Sequence, residues 1–328
     1  MHIFLCLFSA ISIAQTTEDV YEGIALFQEG DFTGAKEQLD YTIAGRSNIV
    51  DSILVHAYYF RARAQIELYK TGATDNANGA YNILESAWHD LTEARKLAKN
   101  ENNILAIEEE VENLHYTILN KGILLFNSST PRLSGSKRNE LLVEAIRILD
   151  IARSIENDYL TNDVLGQAQL RLGDSAKAYT TFKQAIALYD KRISEQPDPF
   201  VPYIYYRMAL IERYFFSDYD KALSTIEQGL MACIDIEAQI DRMQYQQSEV
   251  YAKASTNLAF ARKDLENLRL DLLMDNPEKL DEALQLFERE LAQNPYDYDK
   301  LCAYATLLER NQDTLKAKKV LQSAIAVD

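Results

Sequence analysis

The chain has 328 residues, 47% of them hydrophobic, which is enough to bury a large core and too much for a disordered segment. Fifty acidic residues against 34 basic ones leave a net charge of −16, which repels phosphate backbones and anionic lipid surfaces and argues against nucleic acid as a partner. With only 11 Gly and 6 Pro, and no Pro inside a strongly periodic segment, the composition favours long helices over a many-turned β architecture.

Residues 1–14, MHIFLCLFSAISIA, are an apolar run too short to span a bilayer. The run ends in Ser12-Ile13-Ala14 before Gln15, the small-residue pattern of a secretory signal peptide. The expectation is an exported protein, periplasmic or envelope-associated; the alternative is a cytoplasmic chain that keeps this segment as a buried helix. Cleavage would leave Cys233 and Cys302, as one disulfide or as two buried thiols. No second apolar stretch is long enough to cross a membrane, so no membrane span is expected.

Seven helix pairs are then predicted in chain order, near 17–45, 52–99, 105–156, 159–190, 201–235, 247–295 and 298–328. In the first, Gly23 lies on helix A, Gly30-Asp31 form the turn, and Ala35, Leu39 and Thr42 line helix B. The separations are 12, then 4, then 3, which places the helix B residues on one face. Gly30 can adopt positive φ, and Asp31 can accept from the free N–H groups that open helix B.

The second pair has Ala62 against Ala87, Leu91 and Ala94, a first separation of 25. The third has Gly122 against Ala145, Leu149 and Ala152, a separation of 23. The surplus is placed in the turns, at Thr71–Gly79 and at Ser128–Asn139, where it would crowd one rim of a stacked array.

The fourth pair, Tyr159–Asp190, carries Leu165-Gly166, the turn Gly173-Asp174, and then Ala178, Phe182 and Ala185. This L-G…A-x3-F pattern, together with helix B intervals of 33 from Ala145 to Ala178 and 34 from Ala283 to Ala317, resembles the tetratricopeptide repeat.

Gln196–Pro202 reads as a stiff link to the fifth pair, where Ser217-Asp218 occupy the turn and Ala222, Ile226 and Gly229 keep the spacing. The small residue of its helix A is Ala209 or Leu210. The sixth pair sets Leu258-Ala259 against Ala283, Phe287 and Glu290, the last a contact expected to open to solvent. The seventh has Ala305, the turn Gln312-Asp313, and Ala317, Leu321 and Ala324.

What the resemblance implies is an all-α, right-handed α-solenoid of about seven antiparallel helix pairs over 15–328, acting as a non-catalytic scaffold or adaptor for another protein or peptide. It also implies a concave wall built from helix A residues spaced 3, 4 and 3 apart. Those positions are His56, Tyr59, Arg63 and Ile66; Tyr116, Leu119, Ile123 and Phe126; Leu160, Asp163, Gln167, Leu170 and Arg171; and Ile204, Arg207, Ile211, Tyr214 and Phe215. Such a wall suits an amphipathic helix or an extended peptide, with apolar anchors giving affinity and Arg choosing acidic neighbours. The Lys and Asn set by which cochaperones of the family grip a C-terminal carboxylate is not reproduced at these positions.

The four His, at 2, 56, 89 and 115, stand without HExxH, CxxC or G-x-S-x-G motifs or a Gly-rich phosphate loop, so no catalytic, cofactor or metal residue is assigned. Glu108–Glu110 and Glu112 read as a solvated face. Val320, Leu321, Ala324 and Ile325 are followed by no polar capping helix, so self-association through the last helix is expected. A second functional reading is carbohydrate binding on the tyrosines between Tyr203 and Tyr219.

Overall fold

The computed structural model describes residues 17–45, 49–72, 77–192, 197–243 and 248–327; the expected signal peptide lies outside them. Among the described residues every regular element is helical. The α-helices are α1 (described over 17–29), α2 (Phe32–Ala44), α3 (Asp51–Lys70), α4 (Ala77–Leu97), α5 (Glu101–Ser128), α6 (Gly135–Ile155) and α7 (Tyr159–Leu172). They continue as α8 (Ser175–Arg192), α9 (Pro202–Tyr214), α10 (Tyr219–Met243), α11 (Ser248–Asp275), α12 (Leu280–Gln293), α13 (Tyr298–Arg310) and α14 (Thr314–Val327), with a 3₁₀ turn at Pro277–Lys279 before α12.

One turn design recurs. Gly30, Gly173, Ser217 and Gln312 take φ of 86°, 97°, 55° and 63°, and each is followed by Asp. That Asp caps the next helix: Gly34 N, Lys177 N, Lys221 N and Lys316 N donate to Oδ1 of Asp31, Asp174, Asp218 and Asp313 at 2.9–3.2 Å. Asp31 N and Asp313 N reach back to Leu26 O and Leu308 O, both at 2.9 Å, closing the end of the preceding helix. Glycine takes a left-handed conformation without penalty, whereas Ser217 and Gln312 adopt it at a cost of about 1 kcal/mol each.

The small residues sit where close helix approach needs them. A Cβ on Gly23 would lie 2.7 Å from Leu39 Cγ, and one on Gly122 would lie 2.6 Å from Leu149 Cδ2. Ala35, Ala62, Ala87, Ala145, Ala178, Phe182, Ala185, Ala222 and Ala283 are all fully buried. An antiparallel helix pair closed by a seam of small residues is therefore the repeating unit.

Three expectations change. The surplus residues of the second, third and sixth pairs mostly lengthen helices: α3, α5 and α11 have 20, 28 and 28 residues against 13 in α2, and only Ser129–Ser134 separate α5 from α6. Apolar periodicity runs through these segments, and Gly135 is tolerated because it opens a helix. In the fifth pair Ala209 is the buried residue and Leu210 the partly exposed one; in the sixth, Ala259 is exposed while Leu258 and Ala261 are buried. Glu290 does not open fully to solvent, being part-buried with Lys300 Nζ 2.7 Å from its carboxylate.

The helices divide into two compact units, with the boundary between Gly173 and Asp174. In the first unit each helix from α2 to α7 packs on the next, α3, α5 and α7 also touch in succession, and α4 touches α6. First helices thus lie beside first helices and second beside second, around a core that runs from Val20 and Leu39 through Ile66, Leu91 and Ile118 to Leu149 and Leu165. In the second unit α8 to α14 pack in sequence and α9 also touches α11. Phe287, buried in its core, stacks on Tyr304 with centroids 5.7 Å apart.

Candidate functional site

In the first unit the wall follows from the helix register. On α3, Tyr59 and Arg63 are partly exposed. The Arg63 guanidinium lies 4.8 Å from the ring centre of Phe27, 5.6 Å from Tyr59 and 5.8 Å from Phe60, with Nε 3.3 Å from Glu110 Oε2 on α5. A cation among three rings with one carboxylate spans α1, α3 and α5. Burial raises the Tyr59 hydroxyl pKa, so the ring remains a neutral donor.

On α5, Tyr116 is 51% exposed and Ile123 is partly exposed. On α7, Gln167 donates to Asp163 Oδ2 at 2.8 Å, Leu170 is partly exposed and Arg171 is exposed. The Arg171 guanidinium stacks 3.8 Å from the centre of the Phe126 ring, and its Nη1 donates to Phe126 O at 3.1 Å and to Ser129 Oγ at 3.3 Å, at the C-terminal end of α5. His56, Tyr59, Arg63, Tyr116, Ile123, Gln167, Leu170 and Arg171 therefore keep accessible surface on three adjoining helices.

The structure buries five other predicted positions: Ile66, Leu119, Phe126, Ile204 and Ile211 are below one-tenth exposure and pack in the cores. A wall residue one step around the helix turns inward, because a 3-4-3 spacing spans the edge of the apolar stripe. In the second unit Arg207 is partly exposed, while Tyr214 and Phe215 stand in solvent at the end of α9.

Sequence reasoning assigned no wall in the first helix pair and so missed Phe27. It stands four residues after Gly23, as Phe126 stands four after Gly122, so the same spacing would have found it. Glu110, read as part of a solvated run, belongs to the Arg63 cluster instead. His115 is a packed imidazole: Nδ1 lies 3.2 Å from Ala152 O and Nε2 lies 3.0 Å from Asp158 Oδ2. Both partners accept only, so the site is arranged for the protonated ring, in which both nitrogens donate. Burial works against that charge, but the Asp158 and Ala152 bonds outweigh it and raise the His115 pKa. Burial is likewise outweighed at Asp158, whose pKa falls because His115 and Thr161 hold its carboxylate.

Cys233 is buried and Cys302 partly buried, and both are free thiols; burial pushes Cys233 up to about 11, leaving it unreactive. Among the described residues no group of three or more His, Cys, Asp or Glu side chains is placed to hold a metal, and no helix is long and apolar enough to cross a membrane. An open hollow of about 510 Å³ between the starts of α3 and α5, bordered by Ser52, Val55, Lys99 and Asn103, contains none of the predicted wall residues.

No family model and no curated protein matches this chain. Among solved structures it is similar to the TPR domain of P58(IPK) at 15% identity, covering 94% of this chain and 92% of that one with a TM-score of 0.30. It is also similar to TTC0263, a TPR protein of Thermus thermophilus, at 17% identity over 73% and 98% of the two chains with a TM-score of 0.27. A third is the Naa15/Naa10 assembly bound to HypK, at 15% identity over 96% and 67% with a TM-score of 0.27.

Proposed function

We propose that this protein is a non-catalytic scaffold that holds a segment of another protein along the α3, α5 and α7 wall of its first unit. The observation that carries this reading is the side-by-side placement of those three helices with Tyr59, Arg63, Tyr116, Ile123, Leu170 and Arg171 accessible along them. Aromatic and arginine side chains on a rigid surface are the residues that supply most binding energy at protein interfaces. Export through the N-terminal segment belongs to the proposal; a mature chain beginning at Gln15 is the expected result of N-terminal sequencing.

The test is a photo-crosslinking amino acid placed at Tyr116, with Tyr41 on α2, also exposed, as the control position. The expected result is one crosslinked protein at Tyr116 alone, which then binds the purified chain. Equal crosslinking at both positions, or a bound glycan lost on Tyr214→Ala, would overturn it. Self-association through α14, where Leu315 and Ile325 stand in solvent beside buried Ala324, is a further part of the proposal, checked by light scattering across concentration.

A further inference from the structure

The segment from Ser128 to Asn139 carries Arg132, Lys137 and Arg138 and no carboxylate, in a chain that is otherwise strongly acidic. Arg132 and Lys137 are exposed and, among the described residues, their side chains make no ion pair or hydrogen bond. Arg138, in the first turn of α6, has its Nε buried without a hydrogen-bond partner. Arg171 reaches the start of the same segment from α7, its Nη1 donating to Ser129 Oγ at 3.3 Å; burial lowers the Arg171 pKa, and the charge of Arg138 adds to that shift. Other arginines of the same unit are treated differently, since Arg61, Arg63, Arg95 and Arg153 each meet a carboxylate within 3.3 Å. Arg171 uses Nη1 on the α5 carbonyl end, which leaves Nε and Nη2 as open donors.

Two guanidiniums held at one short segment without a carboxylate repel each other at a free-energy cost that a bound anion would recover. Phe126 holds the Arg171 plane, so the donors are already oriented. At the other end of α5 the sign reverses, with Glu108, Glu109 and Glu112 exposed or partly so. Between Glu109 and Phe126 the helix rises about 25 Å. A nucleic acid or other long polyanion lying along this wall would run from the arginines into that acidic turn, and into the field of a chain carrying −16. A short peptide need not.

We infer that Arg138 and Arg171 form an anion-binding subsite that selects an acidic stretch in a peptide guest, with an apolar residue beside that stretch resting on Ile123 and Leu170. The inference rests on the wall being a peptide-binding surface and names what that surface selects.

The test is selection of a displayed library of random peptides on the full chain and on R138Q. Arg138 Nε holds no partner in the fold, so R138Q leaves the helices intact, which circular dichroism checks. The expected peptides place Asp or Glu next to Leu, Ile or Phe. They bind R138Q about tenfold more weakly, the order of one charge-assisted hydrogen bond, and the R138Q/R171Q chain about a hundredfold more weakly. Apolar peptides without acids, held equally by both chains, would leave the wall standing and overturn the subsite. Displacement of the peptides by inorganic phosphate, or preference for a single-stranded RNA probe, would overturn the assignment to carboxylates. No enriched peptide from any chain would overturn both the subsite and the wall.

Discussion

The two units solve the same packing problem with charges placed differently. In the first, ion pairs run through the interior: Asp90 is fully buried and takes both Arg61 Nε and Nη2 at 2.8 and 2.6 Å, while Arg61 Nη1 also reaches Asp40 at 2.7 Å, tying α2, α3 and α4. His115 and Asp158 tie α5 to α7 in the same way. In the second unit every described ion pair keeps at least one partner a quarter or more exposed, among them Arg262–Glu237, Arg269–Glu227 and Lys300–Glu290. Charges inside a stack impose large losses when one partner is removed, and charges at its surface contribute little. The first unit should therefore respond to single substitutions and to pH, and the second mainly to apolar truncation.

The largest effect is expected for Asp90→Ala, which leaves Arg61 buried beside one half-exposed carboxylate. A loss of about 3–5 kcal/mol is expected by denaturant titration, against under about 1 kcal/mol for Lys316→Ala, whose partner Glu288 lies at the surface. Equal losses would erase the contrast between the units. Next comes Gly122→Val: the added carbons meet buried Leu149 and Ile148, and overpacking should cost about 3 kcal/mol, with only a few tenths of a kcal/mol of helix propensity to offset it. A neutral outcome would mean that the α5–α6 seam is looser than described.

The pH dependence separates the units further. His115 has a raised pKa, so its contribution is complete below the ordinary value of 6.5 and is lost as pH rises through the folded-state value. Asp158 has a lowered pKa, so its contribution is present above 3.8 and is lost as pH falls through its folded-state value. Glu156 adds to the His115 shift and faces the same group. The melting midpoint of the first unit should fall as pH is raised from about 6 to 9, and His115→Gln should flatten that slope. An unchanged slope in the variant would show that the imidazolium pair does not govern it. The smallest effect is a gain, about 1 kcal/mol from Gln312→Gly, because the left-handed φ of 63° suits glycine.

Helix pairing was legible because it rests on local periodicity: Ala178 and Phe182, Gly23 opposite Leu39, and Gly122 opposite Leu149 are each set by spacing alone. The turns were legible where Gly stood before Asp, and also where Ser217 and Gln312 did, because the Asp cap marks the position. The extra length was partly misplaced: residues 77–79 open α4 and residues 135–139 open α6 although composition reads both stretches as loop, while Ser129–Ser134 do connect α5 to α6. The wall was legible as a register but not as a depth. Ile66, Leu119 and Phe126 follow the same spacing as Tyr59 and Tyr116 but fall on the buried side of the apolar stripe. Links such as Arg171 to Ser129 or His115 to Asp158 join residues 42 and 43 positions apart, which no periodic reading connects.

The peptide-holding wall is tested most directly by hydrogen exchange on the full chain, with and without the protein crosslinked at Tyr116. Slowed exchange confined to α3, α5, α7 and the first turn of α6, strongest over residues 116–126 and 163–171, is the predicted result. Protection appearing instead along α4 and the rest of α6, or no change in the first unit, would contradict it.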